Sequence, residues 1–571
     1  MRTHERLLEA LALGSERVVA WADVLDRINV FPVPDGDTGR NLVISLSPFK
    51  RKIALADLAR TLLMNARGNS GNIVARFMSG FLTLDDLADL AGPCRKGRDL
   101  AYRAVPDPKP GTILDFFDVL VASLEKYPQD PDGLWPDRVT ADLEEAVKKT
   151  SQGLEEIKKA GVVDAGALGM FVFFDSCLKY LAGREPIPNG LGEKFKEFLK
   201  PVVSSEVRTE GFCVDAIVKR DIGNEPSAGL TELGDSIVMI EDGDYLKLHF
   251  HADNTRNAKK RLEEMGSIVA WAEDDMSEQA HRFFRTGRRQ AIHIMTDAAG
   301  SMTRDDAREL NVTLLDSYIT IGDLCLPETY HDPLGMLAAM SRGVKVSTSR
   351  ASTFEQHQHY HKVLSLYPRI LYLCVGSVYT GNYEVVTDWK KGNDPENRLM
   401  IIDTGVASGK LGLAARAVAE FSLETNDPDE VIRYAKEAVR QCEEYIFLDR
   451  LQYLAAGGRM SKTGAFFGDM LHVKPIVSPM PDGAARAGIA RSEKDQMAFA
   501  FKQLDSFMAD HGNALIMLEY TDNIHWVRDR VEAPIRTHYP QARIILQQFS
   551  LTSSVHMGPG TWGIAFLPKR T

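Results

Sequence analysis

Up to about residue 195, apolar residues recur at three-and-four spacing. LLEALALGSERVVAWADVLDRI (7–28), ADLARTLLMNA (56–66) and DLEEAVKKTSQGLEEIKKA (142–160) read as amphipathic helices separated by short Gly and Asp clusters. A Pro/Gly-rich stretch, LAGREPIPNGLGEK (181–194), closes this region as a linker. The period then changes to two, in FCVDAIV (212–218), SIVMI (236–240) and DYLKLHFHA (244–252). EDGD between the last two is a hairpin signal, so a small α+β unit is expected over about 200–268. A charged connector, AEDDMSEQAHRFFRTGRR (272–289), follows. Beyond it, strand-like AIHIMTD (291–297), ILYLCVGS (370–377) and RLMIID (398–403) alternate with helical patterns such as PDEVIRYAKEAVRQCEEY (428–445). That alternation predicts an α/β sheet running to the C-terminus. No internal repeat is visible.

Composition narrows the classes. With 571 residues the chain has room for three or four cored units at roughly 150 residues each. Its 44% hydrophobic and 26% charged residues are ordinary for a globular protein. The 68 basic and 79 acidic side chains give a net charge of −11, which argues against nucleic acid as a partner. Charges interrupt the apolar N-terminal stretch, and no run of about 18 apolar residues spans a bilayer, so neither a signal peptide nor a transmembrane segment is expected. Cytoplasmic localisation follows as the expectation. Six cysteines without a CxxC pair disfavour a disulfide framework and leave room for one metal-binding Cys.

The sharpest local signal is NVFPVPDGDTGRN (29–41). Asp35 and Asp37 flank a glycine after a Pro-rich turn, where two carboxylates can converge on Mg²⁺ that also bridges phosphates. Asn29, Thr38 and Asn41 could add oxygens. The same residues also suit a turn followed by a helix cap. ARGNSGN (66–72) and KPGTILD (109–115) are further Gly-rich interruptions. Backbone N–H groups of Gly68, Asn69, Ser70 and Gly71 at a helix start form a candidate anion cradle, and Thr112 after Gly111 could meet phosphate or base. VVDAGALG (162–169) could close over a nucleobase, although Gly loops of this kind also serve simply as caps. In DYLKLHFHAD, alternation puts Lys247, His249 and His251 on one strand face, and Cys213 could supply a third ligand to Zn²⁺. The competing reading is a solvated strand face. HQHYH (357–361) lacks a matching carboxylate or Cys and reads as a surface face. Toward the C-terminus, hydroxyl and Gly clusters lie at predicted strand ends in VSTSRAST (346–353), VGSVYTGNY (375–383) and IIDTGVASG (401–409), where open α/β sheets bind ligands.

The four N-terminal segments together, over about 190 residues, resemble the nucleotide-binding domain of the dihydroxyacetone kinase L-subunit type, in particular its relative in bacterial fatty acid kinases. The resemblance implies an all-α antiparallel helical barrel (1–195) holding ATP or ADP. It implies Asp35 and Asp37 as Mg²⁺ ligands, with Asn29 in a third position. Thr38 and Asn41 would lie beside the phosphates, and Asn69, Ser70, Thr112 and Asp164 near the nucleotide. The middle segment (200–268) is similar to the fatty acid kinase middle domain, which implies a metal at Cys213, His249 and His251. TDAAG at 296, TSRAST, GSVYTGNY, IDTGVASG, YLAAGGRMS at 453, HVKPIV at 472 and VHMGPG at 555 occur in the order seen in DegV-family fatty-acid-binding proteins. That implies a two-lobed α/β domain (290–571) with a fatty acid carboxylate held by Thr348, Ser349, Ser377 and His556, and Arg459 nearby. TSRAST and GSVYTGNY replace the usual TSQPSP and SSGLSGTY, which leaves chain preference open.

The fusion implies a single-chain fatty acid kinase that transfers the ATP γ-phosphate to a bound fatty acid. Asp35 and Asp37 would neutralise charge through Mg²⁺, and His556 would orient the carboxylate. A homodimer and transient membrane-surface contact for lipid exchange are further expectations. The alternatives are a nucleotide-regulated lipid sensor without phosphoryl transfer and a small-polyol kinase.

Overall fold

The structure, a computed structural model, describes residues 2–51, 53–129, 133–186, 190–199, 211–220, 233–276, 290–450, 452–456, 473–511 and 513–569. The chain divides into two compact units, Met1–Gly287 and Arg288–Thr571.

The first unit begins with helices α1 (Arg2–Arg27), α2 (Thr38–Leu46), α3 (Leu55–Asn65), α4 (Gly68–Phe81), α5 (Ala91–Ala104), α6 (Ile113–Lys126), α7 (Trp135–Thr150), α8 (Glu155–Ala160) and α9 (Ala165–Leu181). The apolar run of α9, AGALGMFVFFDSCLKYL, has no polar face, so the helix is buried along almost its whole length at the centre of the others. Phe174 meets Phe77 and Phe81 edge-on, and Phe77 stacks on Phe117 at 4.0 Å between centroids. The charged residues of α9 are paired. Asp175 accepts from Lys179 at 2.6 Å and from the fully buried Arg17 of α1. Burial alone would raise its pKa, but these two cations hold it below the ordinary carboxylate value. The helical pattern over 142–160 is interrupted between α7 and α8, where a Cβ on Gly153 would lie 2.6 Å from Gly111 Cα. The break admits the KPGTILD loop.

Still within this unit, β1 (Phe212–Arg220), β2 (Asp235–Asp242), β3 (Tyr245–Ala252) and β4 (Gly266–Asp275) form an antiparallel sheet in the order β2-β3-β1-β4. The β2–β3 hairpin turns at Gly243, as EDGD predicts. One face of the sheet buries Val214, Ala216, Leu246, Leu248 and Phe250 against Ala258 and Leu262 of helix Thr255–Glu263. The other carries the polar residues considered below.

The second unit is α/β. Strands β5 (His293–Asp297), β6 (Val312–Leu315), β10 (Ile370–Cys374) and β11 (Leu399–Asp403) form a parallel sheet in the order β11-β10-β5-β6. β7 (Ser317–Ile321), β8 (Leu324–Pro327) and β9 (Val346–Arg350) form a small antiparallel sheet in the order β8-β7-β9. A six-stranded mixed sheet follows, β14-β13-β12-β17-β15-β16, made of β12 (Glu443–Phe447), β13 (Lys474–Met480), β14 (Gly483–Ala490), β15 (Ala514–Tyr520), β16 (Arg543–Gln548) and β17 (Trp562–Pro568). The PDEVIRYAKEAVRQCEEY pattern ends as a helix at Gln441, and its last residues enter β12, where Glu444 is fully buried. Among the described residues no helix is long and apolar enough to cross a membrane.

Candidate functional site

Asp35 and Asp37 stand at the entrance to α2 and are both buried. Asp37 occupies the N-cap position of α2, yet its side chain makes no capping hydrogen bond, so its carboxylate is not committed to the helix. Asn29 donates to Asp35 through Nδ2. Burial first, and then the charge of Asp37, raise the Asp35 pKa well above the ordinary carboxylate value. Burial also raises Asp37, which Arg40 and Asn41 partly oppose. Two desolvated carboxylates that repel each other fit a cation between them.

α2 is locked against its neighbours by close backbone approaches. A Cβ on Gly39 would fall 2.1 Å from the carbonyl oxygen of Ala22 in α1. Gly68 opens α4 at φ +63, and a Cβ there would meet Asn41 Nδ2 at 2.1 Å. Ser45 Oγ donates to Asn41 O (2.6 Å) and accepts from Arg67 N (3.0 Å), fixing the turn that precedes the Gly-Asn-Ser-Gly helix start. The structure thus brings Asn29, Asp35, Asp37, Thr38, Asn41 and the first turn of α4 (Gly68, Asn69, Ser70, Gly71) to one end of the helical region. The 162–169 loop reaches the same place, since a Cβ on Gly166 would lie 3.0 Å from Ser70 Oγ and 3.3 Å from Asp164 Oδ1. Thr112 and Asp164 act as helix caps. Thr112 Oγ1 accepts from Leu114 N at 3.4 Å, and Asp164 Oδ1 accepts from Ala167 N at 2.7 Å. Burial raises the Asp164 pKa to about 6 despite that bond. Gly111 N donates to Asp115.

The polar face of the middle sheet is not solvated. Lys247, His249 and His251 are 6%, 1% and 5% exposed, which overturns the solvated-face reading. The β1–β3 register sets Cys213 opposite His251 and Asp215 opposite His249, so all four side chains share that face. Cys213, His249 and His251 offer ligand atoms within 4.8 Å of one another, the one such trio among the described residues. His249 lies 3.9 Å from Cys213 Sγ through Nε2, while its Nδ1 is 3.2 Å from Asp215 Oδ1. An imidazole held by a carboxylate on one nitrogen and free to ligate with the other suits a metal ligand, and one thiolate with two imidazoles suits Zn²⁺. Burial, with Asp37 and Asp215 nearby, holds the Cys213 thiol well above its ordinary pKa, so a cation is required to make it a thiolate. Burial also lowers the His251 pKa to about 3, leaving a neutral imidazole.

Two residues on this face have no counterpart among the candidates from sequence. Asp215 accepts from Gly68 N (3.2 Å, Oδ2) and from Asn72 Nδ2 (3.1 Å, Oδ1). Its carboxylate therefore already holds the Gly68 N–H, which removes it from the candidate cradle and leaves Asn69, Ser70 and Gly71. Lys247 Nζ donates to Leu63 O (2.7 Å), Met64 O (3.4 Å) and Ala66 O, the last carbonyls of α3. Burial lowers its pKa to about 7. The signal was present: Asp215 lies two residues after Cys213 and therefore on the same strand face.

In the second unit, Thr348 Oγ1 on β9 meets His556 Nε2 at 3.3 Å. Beneath them Ile319, Met336, Leu337, Met340, Leu551 and Val555 form a buried apolar cluster. Leu551 also lines a pocket open to solvent with Ser301, Glu328, His331 and Ser550. Burial and Asp316 raise the Glu328 pKa to about 8. Ser349, next to Thr348, is exposed. Ser377 Oγ donates to Asp403 Oδ2 (2.6 Å), tying together the ends of β10 and β11. Arg459 lies outside the described residues. His357 and His361 are half-buried rather than on a surface face. They flank Trp389, whose Nε1 donates to His361 Nε2 at 3.3 Å.

Three family models match the chain: the DAK2 domain over residues 32–179, the FakA-like middle domain of fatty acid kinase over 209–283, and the DegV family over 291–569. Protein YloV of Bacillus subtilis is 31% identical over 309 residues, 48% of this chain and 55% of that protein. An uncharacterised protein of Staphylococcus haemolyticus is 28% identical over 304 residues, with the same coverage. The chain thus spans about half the length of these relatives. Among solved structures, a DegV family protein from Thermus thermophilus described as fatty acid binding gives a TM-score of 0.45 at 20% identity, covering 50% of this chain and 100% of that one. DegV from Bacillus subtilis, described as a fatty acid binding protein, gives 0.45 at 18% identity over 49% of this chain and 100% of its own. The chain joins, in one polypeptide, a DAK2 domain, a FakA-like middle domain and a DegV domain.

Proposed function

We propose that this chain is a fatty acid kinase: ATP and a fatty acid bound in the DegV domain give an acyl phosphate and ADP. The observation that carries the reading is the buried Asp35–Asp37 pair, uncommitted to capping and set beside the start of α4. Phosphoryl transfer depends mainly on positioning and charge neutralisation, and a helix start next to two carboxylates supplies both. Bound Mg²⁺ would draw charge from the phosphates there. Asn29 and Asn41 hold the carboxylates in place, and the N–H groups of Asn69, Ser70 and Gly71 would donate to phosphate oxygens. Asp164, Gly111 and Thr112 border the nucleotide.

On the acceptor side, Thr348 and His556 over an apolar cluster suit a carboxylate that carries a hydrocarbon chain. Ser349 and Ser377 would add hydroxyls to the same headgroup. The carboxylate is ionised near neutral pH and needs no strong base, so His556 orients it. Carrying both functions in one chain raises the effective concentration of lipid near the nucleotide. The test is incubation with Mg-ATP and mixed fatty acids, trapping acyl phosphate with hydroxylamine. Hydroxamate formed by the wild type and lost in Asp37→Ala supports the reading. None from the wild type, with both ligands bound, refutes it.

A further inference from the structure

The α3–α4 turn, residues 65–68, is gripped at both ends by the middle sheet. Lys247 places an ammonium on the terminal carbonyls of α3, and Asp215 places a carboxylate on the first N–H of α4. Each charge has the sign that the local helix end favours: a cation at the C-terminus and an anion at the N-terminus. Both sit on the same face as the Cys213–His249–His251 trio, Asp215 opposite His249 and Lys247 two residues before it. Asp215 is shared, because the oxygen that meets His249 Nδ1 also receives Asn72 Nδ2, while its other oxygen receives Gly68 N.

We propose that Asp215 is a positioning residue that couples metal occupancy of the Cys213–His249–His251 trio to the order of the phosphate-cradling turn, residues 66–72. A metal on His249 Nε2 fixes the imidazole as the tautomer that donates from Nδ1. That donation orients the Asp215 carboxylate, and the oriented carboxylate holds Gly68 and Asn72, leaving the next N–H groups aligned for phosphate. Without the metal, His249 can place its proton on either nitrogen and the hold on Asp215 loosens. The coupling is positive, and linkage requires it to be reciprocal: Mg-ADP tightens metal binding by the same factor by which the metal tightens Mg-ADP.

The inference rests on the nucleotide reading only for its second readout. The first is hydrogen–deuterium exchange of the full chain, zinc-loaded and chelator-stripped. Stripping is expected to speed exchange at Gly68 to Asn72 in the wild type but not in Asp215→Asn, which keeps the size of the side chain and loses its charge. Lys247→Met, as a control, speeds exchange near Ala66 and keeps the zinc dependence at Gly68. The second readout is calorimetric titration of Mg-ADP into loaded and stripped protein. A weakening of about tenfold on stripping is expected in the wild type and near none in Asp215→Asn. Zinc-independent exchange in the wild type, a zinc effect of unchanged size in Asp215→Asn, or stripping that tightens Mg-ADP overturns the proposal. Zinc-dependent exchange with no Mg-ADP binding at all would keep the coupling and refute the nucleotide reading.

Discussion

The two candidate ligand sites are built on opposite electrostatic plans. At Asp35 and Asp37 the first unit buries two carboxylates whose pKa values burial raises, the charge of Asp37 adding to the rise at Asp35, with a thiol nearby that burial and these charges also push up. At Thr348 and His556 the second unit sets a hydroxyl and an imidazole, both only partly buried, over an apolar cluster. The first plan costs folding free energy that a cation returns, because buried unpaired charge is unfavourable. The second costs little without ligand, since the hydroxyl and the imidazole meet each other until a carboxylate displaces them. One site is thus stabilised by its ligand's charge, whereas the other awaits a ligand that brings its own hydrophobic driving force.

The largest effect that would sharpen this contrast is at the acid pair. Asp37→Ala is expected to lower acyl phosphate formation by about 100-fold or more, as read by hydroxamate trapping. Co-purified fatty acid, read by mass spectrometry, should stay unchanged. Equal loss of both would break the comparison. Next in size, His556→Ala together with Thr348→Val should weaken fatty acid binding by roughly tenfold or more, the scale of charge-assisted hydrogen bonds. Mg-ADP affinity measured by calorimetry should not move.

A smaller shift is expected from metal removal. Chelation of zinc should lower the melting temperature of the 1–287 unit by a few degrees, about the effect of losing a ligand present at 100 times its Kd. The transition of the 288–571 unit should stay where it was, and Cys213→Ser should abolish the chelator's effect. The smallest concerns pH in the second unit. Glu328 titrates near 8 when folded, against an ordinary Glu value of about 4.5, so the folded unit holds more protons between those values. Its stability therefore falls as pH rises through that window, and Glu328→Gln should flatten the dependence in scanning calorimetry.

Local pattern made the helices, the β2–β3 hairpin and the shared face of Lys247, His249 and His251 legible, because each depends on residues close in sequence. What covers that face was not legible. Burial of His249 depends on α3 and α4 packing over β3, more than 160 residues away in the chain, and no period encodes that. Asp215 was legible as a neighbour of Cys213 on one strand face, but its place against His249 follows only from the β1–β3 register. Ser377 shows the converse. Its loop position was readable, but its bond to Asp403 follows from the parallel pairing of β10 with β11, strands about 30 residues apart. In the 142–160 segment, helical spacing persisted across a break whose cause, Gly111 against Gly153, lies outside the segment.

The contact between Gly39 and Ala22 has a consequence for how this domain can drift over generations. Any residue other than glycine at position 39 must push aside the main chain of α1, and no side-chain exchange nearby can absorb that displacement. Change is therefore closed at the centre of this end of the helical region and open at its edges. Variation there falls to positions such as Arg40, whose partly exposed side chain reaches Asp274 at 3.6 Å and can be exchanged without moving a helix.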